Sequence, residues 1–160
     1  MRVPSRERAQ GLVEFAVIFP IFAFFLFAII DGGLAMSRFQ TMGGAAREGA
    51  RYGAVGADAT AIATRTAENA HGLLDPPGTG GCGAPTGICV QWVAGPSGES
   101  PGAVGSSVMV NVRYQYTPIT PLIGLFGLTG PSWTIKGCAM QRVERAVGSA
   151  VPTATPGTTC

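Results

Sequence analysis

The dominant pattern is an apolar run near the start of the chain. Between Leu12 and Ile30 the only ionisable residue is Glu14, and residues 15–30 carry no charge. As a helix those residues rise about 24 Å at ~1.5 Å each. Extended to residues 12–35, the run covers the ~30 Å hydrocarbon core of a bilayer. Pro20 lies inside it, which a membrane helix tolerates better than a soluble one. Residues 1–11 are polar, with Arg2, Arg6 and Arg8 against Glu7. The pattern predicts a basic leader or cytoplasmic tail followed by a transmembrane helix. The rival is a cleaved secretory signal ending near Gly33-Leu34-Ala35, against which the apolar run is long.

Beyond Asp31 the helical pattern continues, but its character changes. Ala45, Gly49 and Gly53 recur every four residues, with Ala46, Ala50 and Ala54 one position on. Small residues at that spacing make a flat stripe for close helix packing. The stripe fits either a second helix of this chain or another subunit. Gly43-Gly44 weakens the helix locally, at about 1 kcal/mol per glycine relative to alanine. Residues 58–74 predict the second helix, with Asp58 as N-cap and Gly72 near its end.

The C-terminal half alternates with a period of two. Residues 88–93 place Ile88, Val90 and Trp92 on one face. Residues 107–116 place Val108, Val110, Val112, Tyr114 and Tyr116 on one side and Met109, Asn111, Arg113 and Gln115 on the other. Residues 132–144 set Trp133, Ile135, Ala139 and Val143 against Thr134, Lys136, Cys138 and Arg142. A small antiparallel sheet with one face on the helices follows. Between the last two strands, residues 117–131 are apolar but rich in Pro and Gly. They suit a cover for the sheet edge, or a contact with the membrane surface or a partner. Residues 146–160, rich in Pro, Thr and Ala, read as a disordered tail.

Composition narrows the classes. Charged residues make up 12% of the chain, against about a quarter in soluble domains. A net charge of +2 with a single lysine, Lys136, argues against a nucleic-acid partner. Nine of the 24 glycines and five of the 12 prolines crowd into residues 75–105, which predicts a loop. Four cysteines, Cys82, Cys89, Cys138 and Cys160, favour disulfides in an extracytoplasmic domain. Cys82 and Cys89 flank a turn-rich segment and are the preferred pair. Strand phase offers Cys89 with Cys138 as the rival. Basic residues tie on the two sides of the span, so the cysteines decide the orientation: N-terminus in the cytoplasm, C-terminal domain outside.

No chemistry is encoded that a catalytic site would need. His71 is the only histidine, and its place at a helix end beside Gly72 suits an exposed residue of the last turn. Residues 78–83 match G-x-G-x-x-G formally but follow Asp75-Pro76-Pro77 rather than a strand. No cysteine pair has zinc spacing. The sequence therefore predicts no catalytic residue, no metal and no cofactor. Glu14 has two readings: a shallow carboxylate that reaches water, or a functional group whose central burial would cost about 2.5–3.5 kcal/mol.

The residues Gln10-Gly11-Leu12-Val13-Glu14-Phe15-Ala16-Val17, then Pro20, Asp31-Gly32-Gly33 and Ala45-Ala46-Arg47-Glu48-Gly49-Ala50-Arg51-Tyr52, follow one another at characteristic separations. Read together they resemble the TadE-like family, pseudopilin-like components of tight-adherence (Tad/Flp) pilus systems. The ending Cys138-Ala139-Met140-Gln141-Arg142-Val143-Glu144 is similar to that family's C-terminal strand. The resemblance implies a role in pilus assembly or secretion, with other pilin-like subunits and Tad assembly proteins as partners. It also implies processing by a prepilin peptidase around Ala9, Gln10 and Gly11. A cut after Ala9 makes Glu14 the fifth mature residue, although the family pattern has glycine before the cut. A cut after Gly11 makes it the third. Glu14, followed by Phe15, would then pair with a neighbour's terminal amine.

The expected architecture is α+β. A transmembrane helix (residues 12–35) continues into a juxtamembrane helix, followed by a second helix and a three-stranded antiparallel sheet. Residues 36–145 form a pilin-like domain with the loop at 75–105, and the tail follows. The expected role is that of a minor pseudopilin-like assembly component. The alternative is a secreted or tethered binding module whose signal peptide is removed.

Overall fold

The computed structural model describes residues 5–74, 82–118, 132–148, 151–153 and 160. The segment 119–131, with most of the apolar stretch between the last two strands, lies outside them, as do residues 75–81 of the glycine-rich loop. Five elements follow in order: α1 (Ser5–Ala54), α2 (Ala59–Asn69), β1 (Gly87–Val93), β2 (Ser107–Tyr116) and β3 (Trp133–Arg142). The architecture is α+β, with a long apolar N-terminal helix and a three-stranded antiparallel sheet of order β1-β2-β3. The chain divides into two compact units, the first holding Met1–Met36 and the second Ser37–Tyr116 with Ser132–Cys160.

In the first unit the large apolar side chains of α1 are exposed. Leu12, Phe15, Val17, Ile18, Phe22 and Ile29 are all more than half exposed. The helix keeps Pro20 in its interior and is the one described helix long and apolar enough to cross a membrane. Pro20 lacks the N–H that would pair with the Ala16 carbonyl, but the other interior backbone groups of a helix are paired within it, so lipid can surround it at little hydrogen-bonding cost.

In the second unit the same helix becomes the centre of a core. Met42, Ala45, Ala46 and Ala50 are buried with Ile62 and Ala70, and with Val90, Trp92, Val108, Val110, Val112 and Val143 of the sheet side. Burying a side chain such as Ile62 or Val110 contributes about 1.5–3 kcal/mol relative to exposure. The alternation read from the sequence is the one that sorts the sheet: Ile88, Val90 and Trp92 share the core face with Val108, Val110, Val112, Ile135 and Ala139. The weak point expected at Gly43-Gly44 is absent, and α1 runs unbroken to Ala54. A close contact fixes the helix there. A Cβ on Gly137 of β3 would lie 2.5 Å from the Met42 carbonyl oxygen and 2.9 Å from the Gly43 nitrogen.

Helix α2 begins where expected. The Asp58 carboxylate accepts a 2.7 Å hydrogen bond from the Ala61 amide, satisfying an otherwise unpaired donor of the first turn. It ends earlier than the pattern predicted, at Asn69. His71 (φ 52°) and Gly72 (φ 74°) both take the left-handed conformation, which stops the helix and turns the chain. His71 is thus an exposed residue just past the helix rather than within its last turn.

On the sheet's outer face the preferred cysteine pair is formed. Cys82 is bonded to Cys89, and Cys138 to Cys160. The rival pairing of Cys89 with Cys138 is excluded by register. Both residues stand opposite Asn111 on the central strand, about 9–10 Å apart at two interstrand spacings. A disulfide needs Cα atoms within about 7 Å. The tail differs from expectation at its described residues, which are tied down. The Val147 amide donates to the Gly102 carbonyl, and the Trp92 amide donates to Pro152. Thr153 bridges Trp92 in parallel, Val147 and Val151 pack on the core, and Cys160 closes the disulfide. Low hydrophobicity predicted disorder, but backbone pairing on the β1 edge and one covalent bond outweigh it.

Candidate assembly surface

The residues singled out from the sequence fall on three places along α1. The first is the start of the apolar run. Gln10 and Glu14 lie one turn apart, and the Gln10 side-chain amide donates a 3.2 Å hydrogen bond to the Glu14 carboxylate. The pair is exposed, and one carboxylate oxygen is satisfied locally while the rest of the group stays open to a partner. One turn further, the Phe15 and Phe19 rings lie 5.3 Å apart between centroids. That places an aromatic ridge directly after the carboxylate. Gly11 has open space where a side chain would be. Ala9 is helical, and its side chain lies outside the description.

The second place is the small-residue stripe. Ala45 is 1% exposed, and Gly49 and Gly53 are both buried. A Cβ on Gly49 would collide with the Thr66 hydroxyl of α2 and reach Val110 of β2 at 3.4 Å. On Gly53 it would lie 2.8 Å from Ile62 and 3.0 Å from Val108. The stripe is therefore filled by α2 and β2 of the same chain. Thr66 itself is fully buried, and its hydroxyl donates to the Ile62 carbonyl at 2.7 Å. Of the two partners the sequence left open, the structure gives the stripe to its own chain.

The third place is the face of α1 turned away from that core. Glu48, Tyr52, Ala61, Thr64, Arg65 and Glu68 line an open groove of about 400 Å³ between α1 and α2. Arg65 bridges Glu48 at 3.4 Å and Glu68 at 3.5 Å. Its side chain is 49% exposed, so each contact is worth roughly 0–1 kcal/mol. The groove is polar and shallow, and its charges are already paired. Sequence reasoning did not single out Arg65, although its spacing of three residues before Glu68 on α2 was a signal for one half of the arrangement.

Among the described residues no group of three or more His, Cys, Asp or Glu side chains stands together as a metal site would require. The ionisable group with a displaced titration is Glu99, on the loop before β2. Its carboxyl is held below the ordinary value by hydrogen bonding to its own backbone amide and to that of Ser97, with Arg142 adding attraction and desolvation opposing. That arrangement shapes a turn and faces no cavity.

The cysteine pairing that the sequence reading missed, Cys138 with Cys160, had a signal. An even count, with Cys82 and Cys89 preferred for each other, leaves those two.

The comparisons agree with the placement of these residues on α1. Residues 9–51 match the family model of TadE-like protein. The matched stretch runs through the exposed apolar part of α1 to the exposed Arg51 beside the buried stripe. No curated protein and no solved structure matches the chain.

Proposed function

Starting from a chain whose residues 9–51 are TadE-like, we propose that it is a minor, membrane-anchored pseudopilin-like component of a Tad/Flp-type pilus or related secretion apparatus. The observation that carries this reading is the coincidence of the family match with a helix whose large apolar side chains between Leu12 and Ile30 are exposed. A surface of that kind is stable only in lipid or against other helices. The chain spans the membrane once, with its N-terminus in the cytoplasm and the second unit outside. The two disulfides suit an oxidising compartment.

Assembly centres on Glu14 and Phe15. The buried stripe is already occupied within the chain, so contacts with other pilin-like subunits fall on the exposed face of residues 12–35. There a carboxylate surrounded by lipid is costly, and pairing with the terminal amine of a neighbouring subunit offsets that cost and fixes the register. Processing by a prepilin peptidase near Ala9, Gln10 and Gly11 would create such an amine. The protein has no catalytic role in this reading and requires no cofactor.

The test is Glu14→Ala in the full chain. The expected result is normal membrane insertion and an unchanged thermal transition of the second unit, with pilus output reduced. Normal pilus output from cells carrying this variant in place of the wild type would remove Glu14 from assembly.

A further inference from the structure

The second unit is polarised along the direction of α1. Three contacts fix that direction: Gly53 faces Val108, Gly49 faces Val110, and the Met42 carbonyl faces Gly137. Since Val108, Val110 and Val112 pair with Gln141, Ala139 and Gly137, residue numbers on β3 rise as those on α1 rise. Going backward along both elements leads from Gly137 to Trp133 on the strand and from Met42 to Ser37 on the helix. Four strand residues cover about 13 Å, and five helical residues about 7.5 Å. The Tyr116–Trp133 end of the sheet therefore lies at the Ser37 end of the unit, where the chain arrives from the apolar run.

That end carries a specific set of side chains. Trp133 is 50% exposed, an unusual state for the largest apolar side chain, and its ring stacks on that of the buried Tyr116 with centroids 6.5 Å apart. Phe39, on the same end of α1, is 54% exposed. The described residues here, 37–42, 86–88, 112–118 and 132–138, include Arg38, Arg113 and Lys136 and no carboxylate. The described acidic side chains of the unit are Glu48, Asp58, Glu68, Glu99 and Glu144, all outside these segments. Exposed aromatics mixed with cations are the composition of a protein surface at lipid headgroups, where amphipathic rings and basic side chains are both favoured. Tyr116 and Trp133 also bracket a stretch whose sequence is apolar at Ile119, Leu122, Ile123, Leu125, Phe126 and Leu128.

We propose that the end of the second unit formed by Phe39, Trp133, Arg38, Arg113 and Lys136 rests on the bilayer, with Trp133 at headgroup level against a surface containing anionic lipid. The domain is then held against the membrane by a second contact besides its anchor, and its orientation relative to the bilayer is fixed. The proposal rests on the reading of residues 12–35 as a span and goes beyond it, since a span alone leaves a tethered domain free to stand away from the surface.

The experiment uses the full chain in nanodiscs of phosphatidylcholine and phosphatidylglycerol, doped with lipid carrying a spin-label quencher near the headgroup. Co-purification with the discs reports the span. Trp92 is fully buried in the core and serves as the internal reference. The expected result is a loss of tryptophan emission with the shallow quencher that disappears in Trp133→Phe, together with protection of Trp133 from aqueous iodide. A protein retained in the discs whose Trp133 is quenched by iodide and untouched by labelled lipid would overturn the proposal while leaving the span intact.

Discussion

The two halves of α1 are one continuous helix in two different settings, and their glycines show it most sharply. In the first half Gly11, Gly32 and Gly33 have open space where a Cβ would be, whereas at Gly49 and Gly53 in the second the same atom would meet Thr66, Ile62 and Val108. Large apolar side chains dominate the first half, and small ones dominate the buried face of the second. On the reading of residues 12–35 as a span, the difference is one of solvent. A helix facing lipid gains by presenting bulk to the hydrocarbon, and a helix facing its own sheet gains by removing it. Glycine is therefore replaceable at Gly11, Gly32 and Gly33 and required at Gly49 and Gly53.

The largest effect should come from filling the crowded half. Gly49→Val places branched carbon on the Thr66 hydroxyl and should destabilise the second unit by about 3 kcal/mol or more, as overpacking of a tight contact does. Gly32→Ala, in the open half, should leave the unfolding midpoint of that unit unchanged. Thermal denaturation of the two variants in detergent, followed by circular dichroism, compares them directly. Equal effects would break the distinction between the halves.

The disulfides should come next, and they should act on the second unit alone. Cys138 and Cys160 close a loop of sequence separation 22, and Cys82 and Cys89 one of 7. Removing the longer bridge with paired serine substitutions should cost about 2–4 kcal/mol, and removing the shorter one less. Denaturant titration gives the order. Membrane insertion, measured by carbonate extraction, should be the same in both.

The smallest effect concerns Glu99. Its folded carboxyl is held below its ordinary value, so its contribution is present above that ordinary value and is lost as pH falls through the lower folded value. Exchange of the Ser97 amide, which donates to the carboxylate at 3.0 Å, should accelerate over that acid range in the wild type. In Glu99→Gln it should show no such step. The first half of α1 should be unaffected.

The strong periodic signals carried most of the fold. The apolar run, the Asp58 cap and the alternation of β2 each express one local rule, and each stands in the structure where that rule puts it. What escaped the sequence was mostly a matter of partners. A stripe of alanine and glycine records that something approaches closely but does not name it, and here α2 and β2 of the same chain do so. The tail escaped for a related reason. Its ties are a backbone hydrogen bond from Trp92 to Pro152 and a bond from Cys138 to Cys160, neither of which leaves a hydrophobic pattern in residues 146–160. The helix end at His71 was missed because a left-handed histidine is rarer than a glycine in that role. At the candidate assembly surface, the position of Glu14 at the edge of the apolar run was legible. Its hydrogen bond from Gln10 follows from a spacing of four.

The central claim is that the bare half of α1 remains part of the working protein as its membrane anchor. The N-terminal residue of the protein purified from membranes, determined by mass spectrometry, tests it most directly. The account predicts a chain that still contains residues 12–35, beginning at Gln10 or Leu12 if a leader peptidase acts and at Met1 if it does not. A mature chain that begins at or near Met36 would contradict it, because the apolar helix would then have been a discarded signal.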